Sequence, residues 1–98
     1  MTIEQFQQSL SLASPTSTIS DHLKALWYDA KGDWQQSHNI IQDINDDNAA
    51  WIHAYLHRKE ADIGNADYWY RRAGRIRPFS SLEQEWENIV AGLIHHSL

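Results

Sequence analysis

Apolar residues recur at intervals of three and four along most of the chain, the spacing that places side chains on one face of an α-helix. The clearest example is the C-terminal stretch, where six apolar positions form one stripe: Leu82, Trp86, Ile89, Val90, Leu93 and Ile94. No alternating run of apolar and polar residues indicates a β-strand. The pattern therefore predicts an all-α fold.

Capping and turn residues divide the chain into about six helices in antiparallel succession. Thr2 followed by Gln5 matches the capping box that begins a helix. Gly32 favours a helix end because glycine tolerates the left-handed conformation, and Pro78 lacks the backbone donor that a helix interior needs. The predicted helices cover residues 3–13, 18–31, 34–45, 48–61, 63–76 and 81–96.

Two segments of the chain correspond to each other at a shift of 29 residues. The first contains, in order, Ala25, Tyr28, Gly32, Asp33, Trp34, Ser37, Ile41 and Ile44, and the second contains Ala54, His57, Ala61, Asp62, Ile63, Ala66, Tyr70 and Ala73. Small residues recur where two helices would cross closely, and an aspartate follows each turn. The repeat predicts two helix hairpins, at about 18–45 and 48–76, flanked by an N-terminal and a C-terminal helix in one domain spanning 1–98.

The repeat resembles the tetratricopeptide repeat over residues 18–78, in its small crossing residues, its Gly32-Asp33 turn and the position of Pro78. It departs from that family in its shorter period, since tetratricopeptide repeats are about 34 residues long. Ala61 replaces the turn glycine in the second unit, and His57 replaces a bulky residue. The stretch WIHAYLHRKEADIGNADYWYRRAGR, residues 51–75, also resembles a family of small uncharacterised bacterial proteins.

Composition narrows the classes of function. The chain has 98 residues, of which 42% are hydrophobic and 11% aromatic, which suffices for one domain with its own core. The formal net charge of -5 argues against general nucleic-acid binding, which needs a basic face. Cysteine is absent, which excludes disulfides, thiolate metal sites and thiol catalysis.

The sequence pattern shows no targeting signal. The start MTIEQFQQSL lacks the positive charge and apolar run of a signal peptide. No apolar stretch approaches the roughly 20 residues that cross a membrane. We therefore expect a cytoplasmic protein that uses neither a membrane nor a nucleic acid as its partner.

The leading functional hypothesis is a non-enzymatic module that binds a protein or peptide partner and needs no cofactor. In tetratricopeptide proteins the first helix of each hairpin lines a concave groove. The resemblance thus implies a groove lined by His22, Leu26, Asp29, Asn48, Trp51, Tyr55 and Arg58. The alternative is that a terminal helix of the chain fills this groove. A homodimer joined through the apolar stripe of residues 82–94 is a further hypothesis.

The rival hypothesis is a small-molecule, anion or metal site. His53, His57 and Glu60 lie at i, i+4 and i+7 of one predicted helix, so their side chains share a face and could bind zinc. Hydrogen-bonded packing of both histidines is the favoured explanation of this spacing. The wider polar site, where arginines would bind an anion, comprises His53, His57, Glu60, Asp62, Asn65, Tyr68, Arg71 and Arg72. Ion pairs between helices explain the same charges without a ligand.

Overall fold

The computed structural model describes residues 1–96, with side chains described as far as Ile94. Within this range the chain forms six α-helices and no strand, so the predicted all-α fold is confirmed. The helices are α1 Ile3–Gln8, α2 Asp21–Ala30, α3 Trp34–Ile41, α4 Asp47–Lys59, α5 Ile63–Arg72 and α6 Leu82–His96, and a single 3₁₀ turn, Ser9–Ser11, follows α1. None of these described helices combines the length and the apolar character that crossing a membrane requires.

The helix pairs α2–α3 and α4–α5 form two hairpins whose turns have the same geometry. Gly32 and Ala61, at equivalent positions of the repeat, both have positive φ, 85° and 63°. In each turn the next amide donates to the carbonyl five residues earlier, at 2.9 Å. Asp33 and Asp62 then cap α3 and α5. Each turn thus satisfies the last carbonyls of one helix and the first amides of the next.

Small residues lie where the two helices of each hairpin cross. Ala25 and Ser37 are fully buried in the first hairpin, and Ala54 and Ala66 are fully buried in the second. A short side chain at these positions lets the two backbones approach closely. The expectation that Ala25, Ala54 and Ala66 are buried is therefore confirmed.

The C-terminal helix α6 packs against α1, α2 and α4 and completes the core. Ile89 and Val90 are fully buried, and the indole of Trp86 donates to the carbonyl of Leu26 at 3.1 Å. The ring of Phe6 lies 5.8 Å from that of Trp86, so α1 also joins this core. Four of the six residues of the stripe are therefore buried within the chain, and the homodimer stays a prediction.

Several predicted helix ends are wrong. α5 ends at Arg72 rather than at residue 76, because Gly74 adopts a φ of 72° and terminates the helix four residues before Pro78. The side chain of Ile76 is consequently 90% exposed and does not belong to the buried stripe predicted for it. α1 ends at Gln8 and α3 at Ile41, while α2 begins at residue 21.

Candidate metal centre

α6 packs over three of the predicted groove residues and leaves beside them a cavity of about 370 Å³ that Asp29 and Tyr55 help to line. Leu26 is 0% exposed, and Asp29 and Tyr55 are each 2% exposed, because α6 packs against α2 and α4. Tyr55 donates to the carboxylate of Asp29 at 2.9 Å, and Lys59 donates to it at the same distance. Burial, with the neighbouring Asp29 charge, raises the pKa of Tyr55. These three residues are therefore buried, which fits the alternative that a terminal helix packs into the groove, and binding of a partner at the groove stays a prediction.

The second half of the predicted groove binds one carboxylate of α6. Glu85 is 1% exposed and pairs with Arg58 at 2.8 Å. Tyr70 donates to Glu85 at 2.7 Å and Trp51 donates to it at 3.3 Å. Burial and the bond to Glu85 raise the pKa of Tyr70. These bonds satisfy a buried charge, so Trp51 and Arg58 fix α6 against the second hairpin.

The two remaining groove residues lie near the start of α4. His22 is hydrogen-bonded through Nε2 to Asp46 at 3.0 Å, and Asn48 is partly buried in the first turn of α4. Asp46 also caps α4, which accounts for its lowered pKa together with the His22 bond. The bond between His22 and Asp46 therefore joins the start of α2 to the start of α4.

The wider polar set does not form one site. Asp62 caps α5 and accepts from the side chain of Asn65 at 2.8 Å. The guanidinium of Arg72 lies 5.4 Å from the ring of Trp69 and 3.5 Å from the hydroxyl of Tyr68. Arg72 and His53 both line a cavity of about 90 Å³ that Arg71 does not line. Arg71 instead lines a different cavity, between α5 and the loop that follows it.

Three histidines from two helices do converge. His38 lies in the last turn of α3, and His53 and His57 lie one turn apart on α4. The Nε2 atoms of His38 and His53 are 3.1 Å apart, a distance at which one ring can donate a hydrogen bond to the other. One ring nitrogen from each of the three residues lies within 4.8 Å of the other two. We call these residues the histidine cluster.

Two tryptophans hold the rings of the histidine cluster in place. Trp34 stacks on His38 with a ring-centroid distance of 4.8 Å, and Trp69 stacks on His53 at 4.0 Å. The indole of Trp34 also donates to the carbonyl of Leu56 at 2.9 Å, which ties α3 to α4. The imidazoles are thus positioned by aromatic contacts from α3 and α5 before any ligand binds.

Burial lowers the pKa of two imidazoles of the cluster, those of His53 and His38. The side chain of His53 is largely buried, and desolvation, with the nearby charges of His57 and His38, lowers its pKa to about 4. Desolvation followed by the charge of His57 lowers the pKa of His38, although Glu60 raises it in part. A neutral imidazole has the free lone pair that a metal ion needs.

Glu60 plays a different role from the one predicted. Its carboxylate lies 2.7 Å from Nδ1 of His57 and does not join His38 and His53 in the cluster. A carboxylate on one nitrogen of a histidine fixes the tautomer and leaves the other nitrogen, here Nε2, as an acceptor. The predicted set of His53, His57 and Glu60 is thus divided between two groups of possible ligand atoms that share His57: one with His38 and His53, the other with Glu60 and Asp62.

The separations fit a small metal ion. Zinc binds imidazole nitrogen at about 2.0–2.1 Å in tetrahedral geometry, which puts two such nitrogens about 3.3 Å apart. The His38 and His53 nitrogens are 3.1 Å apart, close to that value. One ring nitrogen of His57 lies within 4.8 Å of the nitrogens of both other residues. Three protein ligands leave the fourth position of a tetrahedral ion to water or another donor.

His38 is the residue of this site that sequence reasoning missed. It lies 15 residues before His53, and its helix belongs to the first hairpin. The available signal was its position four residues after Trp34, which places it on the side of α3 that faces α4.

Comparison with known proteins adds no relative: no family model, no curated protein and no solved structure matches the chain. The resemblances to tetratricopeptide repeats and to the small bacterial family stay predictions.

Proposed function

We propose that the chain binds a divalent transition-metal ion, zinc in the first place, through His38, His53 and His57. The observation that carries this proposal is the convergence of three imidazoles from two hairpins, with two ring nitrogens 3.1 Å apart. Imidazole suits zinc, copper and nickel and binds magnesium or calcium poorly. The proposal concerns metal binding, and it assigns no reaction to the ion.

The residues around the histidine cluster support a metal site, because they orient all three rings. Trp34 and Trp69 fix two of the rings, and Glu60 fixes the third through its Nδ1 atom. Orientation of metal-binding histidines by second partners is a general property of such sites. Histidines that serve only packing need no such set of supports on all three rings.

Isothermal titration of the untagged, chelator-treated protein with zinc chloride tests the proposal. We use a background in which His95 and His96 are alanine, so that the pair at the chain terminus cannot bind the ion. One zinc per chain is expected. At zinc concentrations about 100 times the dissociation constant, the free energy of unfolding should rise by about 2.7 kcal/mol.

The repeat supplies a matched variant, because Tyr28 occupies the position in the first hairpin that His57 occupies in the second. His57→Tyr and His38→Ala should each abolish stoichiometric binding, and His22→Ala, outside the cluster, should not. Cobalt substitution adds a spectroscopic readout, since tetrahedral cobalt absorbs strongly in the visible range. No binding by the parent protein, or equal binding by His38→Ala and His22→Ala, would contradict the proposal.

A further inference from the structure

The loop between α5 and α6 exposes two large apolar side chains. Ile76 is 90% exposed and Phe79 is fully exposed, at 107% of the reference area. Both residues flank Pro78, and no described helix covers them. They line the same cavity, and contiguous exposed apolar side chains are one mark of a surface that binds a partner.

The same loop concentrates positive charge. A cavity of about 330 Å³ is lined by Arg71, Arg75 and Arg77 together with Ile76 and Phe79. Asp67 is the carboxylate residue in its lining, so the charges of the lining sum to about +2. The whole chain has a formal net charge of -5, so this basic cavity contrasts in sign with the rest of the protein.

The three arginines of the cavity differ in their contacts within the chain. Arg77 donates to Asp67 at 2.9 Å. The guanidinium of Arg75 lies 3.4 Å from the centroid of the Trp51 ring, a cation–π contact that fixes its plane and leaves its N–H edges free to donate. The side chain of Arg71 makes no ion pair or hydrogen bond with the residues that the structure describes. At least two guanidinium groups are therefore available to an anionic ligand.

We infer that the loop surface, defined as Arg71, Arg75, Ile76 and Phe79, binds an acidic peptide segment of a partner protein. Its carboxylates would pair with the two guanidinium groups, because arginine binds carboxylates through two parallel hydrogen bonds. An apolar side chain of the peptide would pack between Ile76 and Phe79. An inorganic anion would use the charge and leave the apolar pair exposed, so the combination favours a peptide.

This inference is independent of the metal proposal, because none of the four residues belongs to the histidine cluster. The proposed partner site also differs from the groove predicted from the sequence, because α6 does not cover the loop surface. The two proposals can therefore fail separately.

Selection of random displayed peptides on the immobilised full chain tests the inference. The selected peptides should be enriched in Asp and Glu next to an aliphatic or aromatic residue. Binding of a selected peptide, measured by fluorescence polarisation, should weaken about tenfold or more in Arg71→Glu and in Phe79→Ser. Both side chains are exposed, so the far-UV circular dichroism and melting temperature of these variants should match those of the parent.

Arg72→Glu is the matched charge control, because Arg72 neighbours Arg71 in sequence but lies over the ring of Trp69. Its effect at 0.15 M salt should stay within about twofold. Enrichment of neutral or basic peptides, or equal binding by Arg71→Glu, overturns the inference. A parent dimer that dissociates in Phe79→Ser assigns the surface to a second copy and overturns it, as does binding to anionic vesicles with no peptide selected.

Discussion

The first hairpin, α2–α3, and the second, α4–α5, have the same turn geometry and differ in their polar side chains. Their turns have the same geometry, and both aspartates that follow the turns cap a helix. At the position four residues before the turn residue, the first hairpin has Tyr28 and the second has His57. The next position holds Asp29 in one hairpin and Arg58 in the other.

Residues that the two hairpins share stabilise the fold, and residues that differ between them supply the polar and charged contacts. Buried small residues and caps recur because any hairpin of this geometry needs them. Asp29 and Arg58 have opposite charges, and each binds a different buried network. The counterpart of His57 in the first hairpin, Tyr28, has no imidazole, whereas His57 belongs to the cluster for which we propose a ligand.

The largest effect is expected where a buried charge loses its partner. Arg58→Met leaves Glu85, whose side chain is 2% exposed, without its opposite charge. We expect the free energy of unfolding to fall by about 3–5 kcal/mol, measured by urea denaturation.

The counterpart in the first hairpin, Asp29→Asn, should cost less, about 1–2 kcal/mol. The amide still accepts from Tyr55, and the freed Lys59, whose side chain is 39% exposed, returns to water. Equal losses in the two variants would show that the charged positions of the hairpins are energetically equivalent.

A smaller change, this time an increase in stability, is expected where the two helices of the first hairpin cross. Ser37 is fully buried, and its hydroxyl has no hydrogen-bond partner among the described residues, whereas the second hairpin has Ala66 there. Ser37→Ala should raise the free energy of unfolding by about 1 kcal/mol, since it removes an unsatisfied polar group. The reverse change, Ala66→Ser, should lower it by a similar amount. A destabilised Ser37→Ala variant would show that the hydroxyl contributes to the fold.

The smallest effect is expected at the turns. Ala61 has a φ of 63°, a conformation that suits glycine, and no other residue of the described chain except glycine has a positive φ. Ala61→Gly should therefore stabilise the protein by about 0.5 kcal/mol, after the added chain entropy of glycine is subtracted. Gly32→Ala should destabilise it, because it introduces the same strain in the first hairpin. Thermal denaturation of both variants measures the two changes in stability.

The sequence predicted the helices and hairpins because their determinants are local. Apolar spacing, caps such as Thr2 and Asp33, and the turn at Gly32 act within one or two helical turns. Helix ends were predicted less well, since Gly74 ends α5 although Pro78 is the stronger helix breaker in sequence terms.

The candidate site was only partly predictable, because it depends on packing between hairpins. The sequence placed His53 and His57 on one helical face, which the geometry of a single helix determines. It could not place His38 beside them, because that contact needs the packing of α3 on α4. The apolar stripe of α6 was likewise predicted, but the helices against which it packs were not. Glu85, a charged residue within that stripe, was the available signal of a buried ionic contact.

The histidine cluster spans the boundary between the two hairpins, with His38 on one side and His53 and His57 on the other. An ion held there would cross-link the hairpins, so that neither could open without losing a ligand. Its concentration would then set how cooperatively the two halves of the protein unfold.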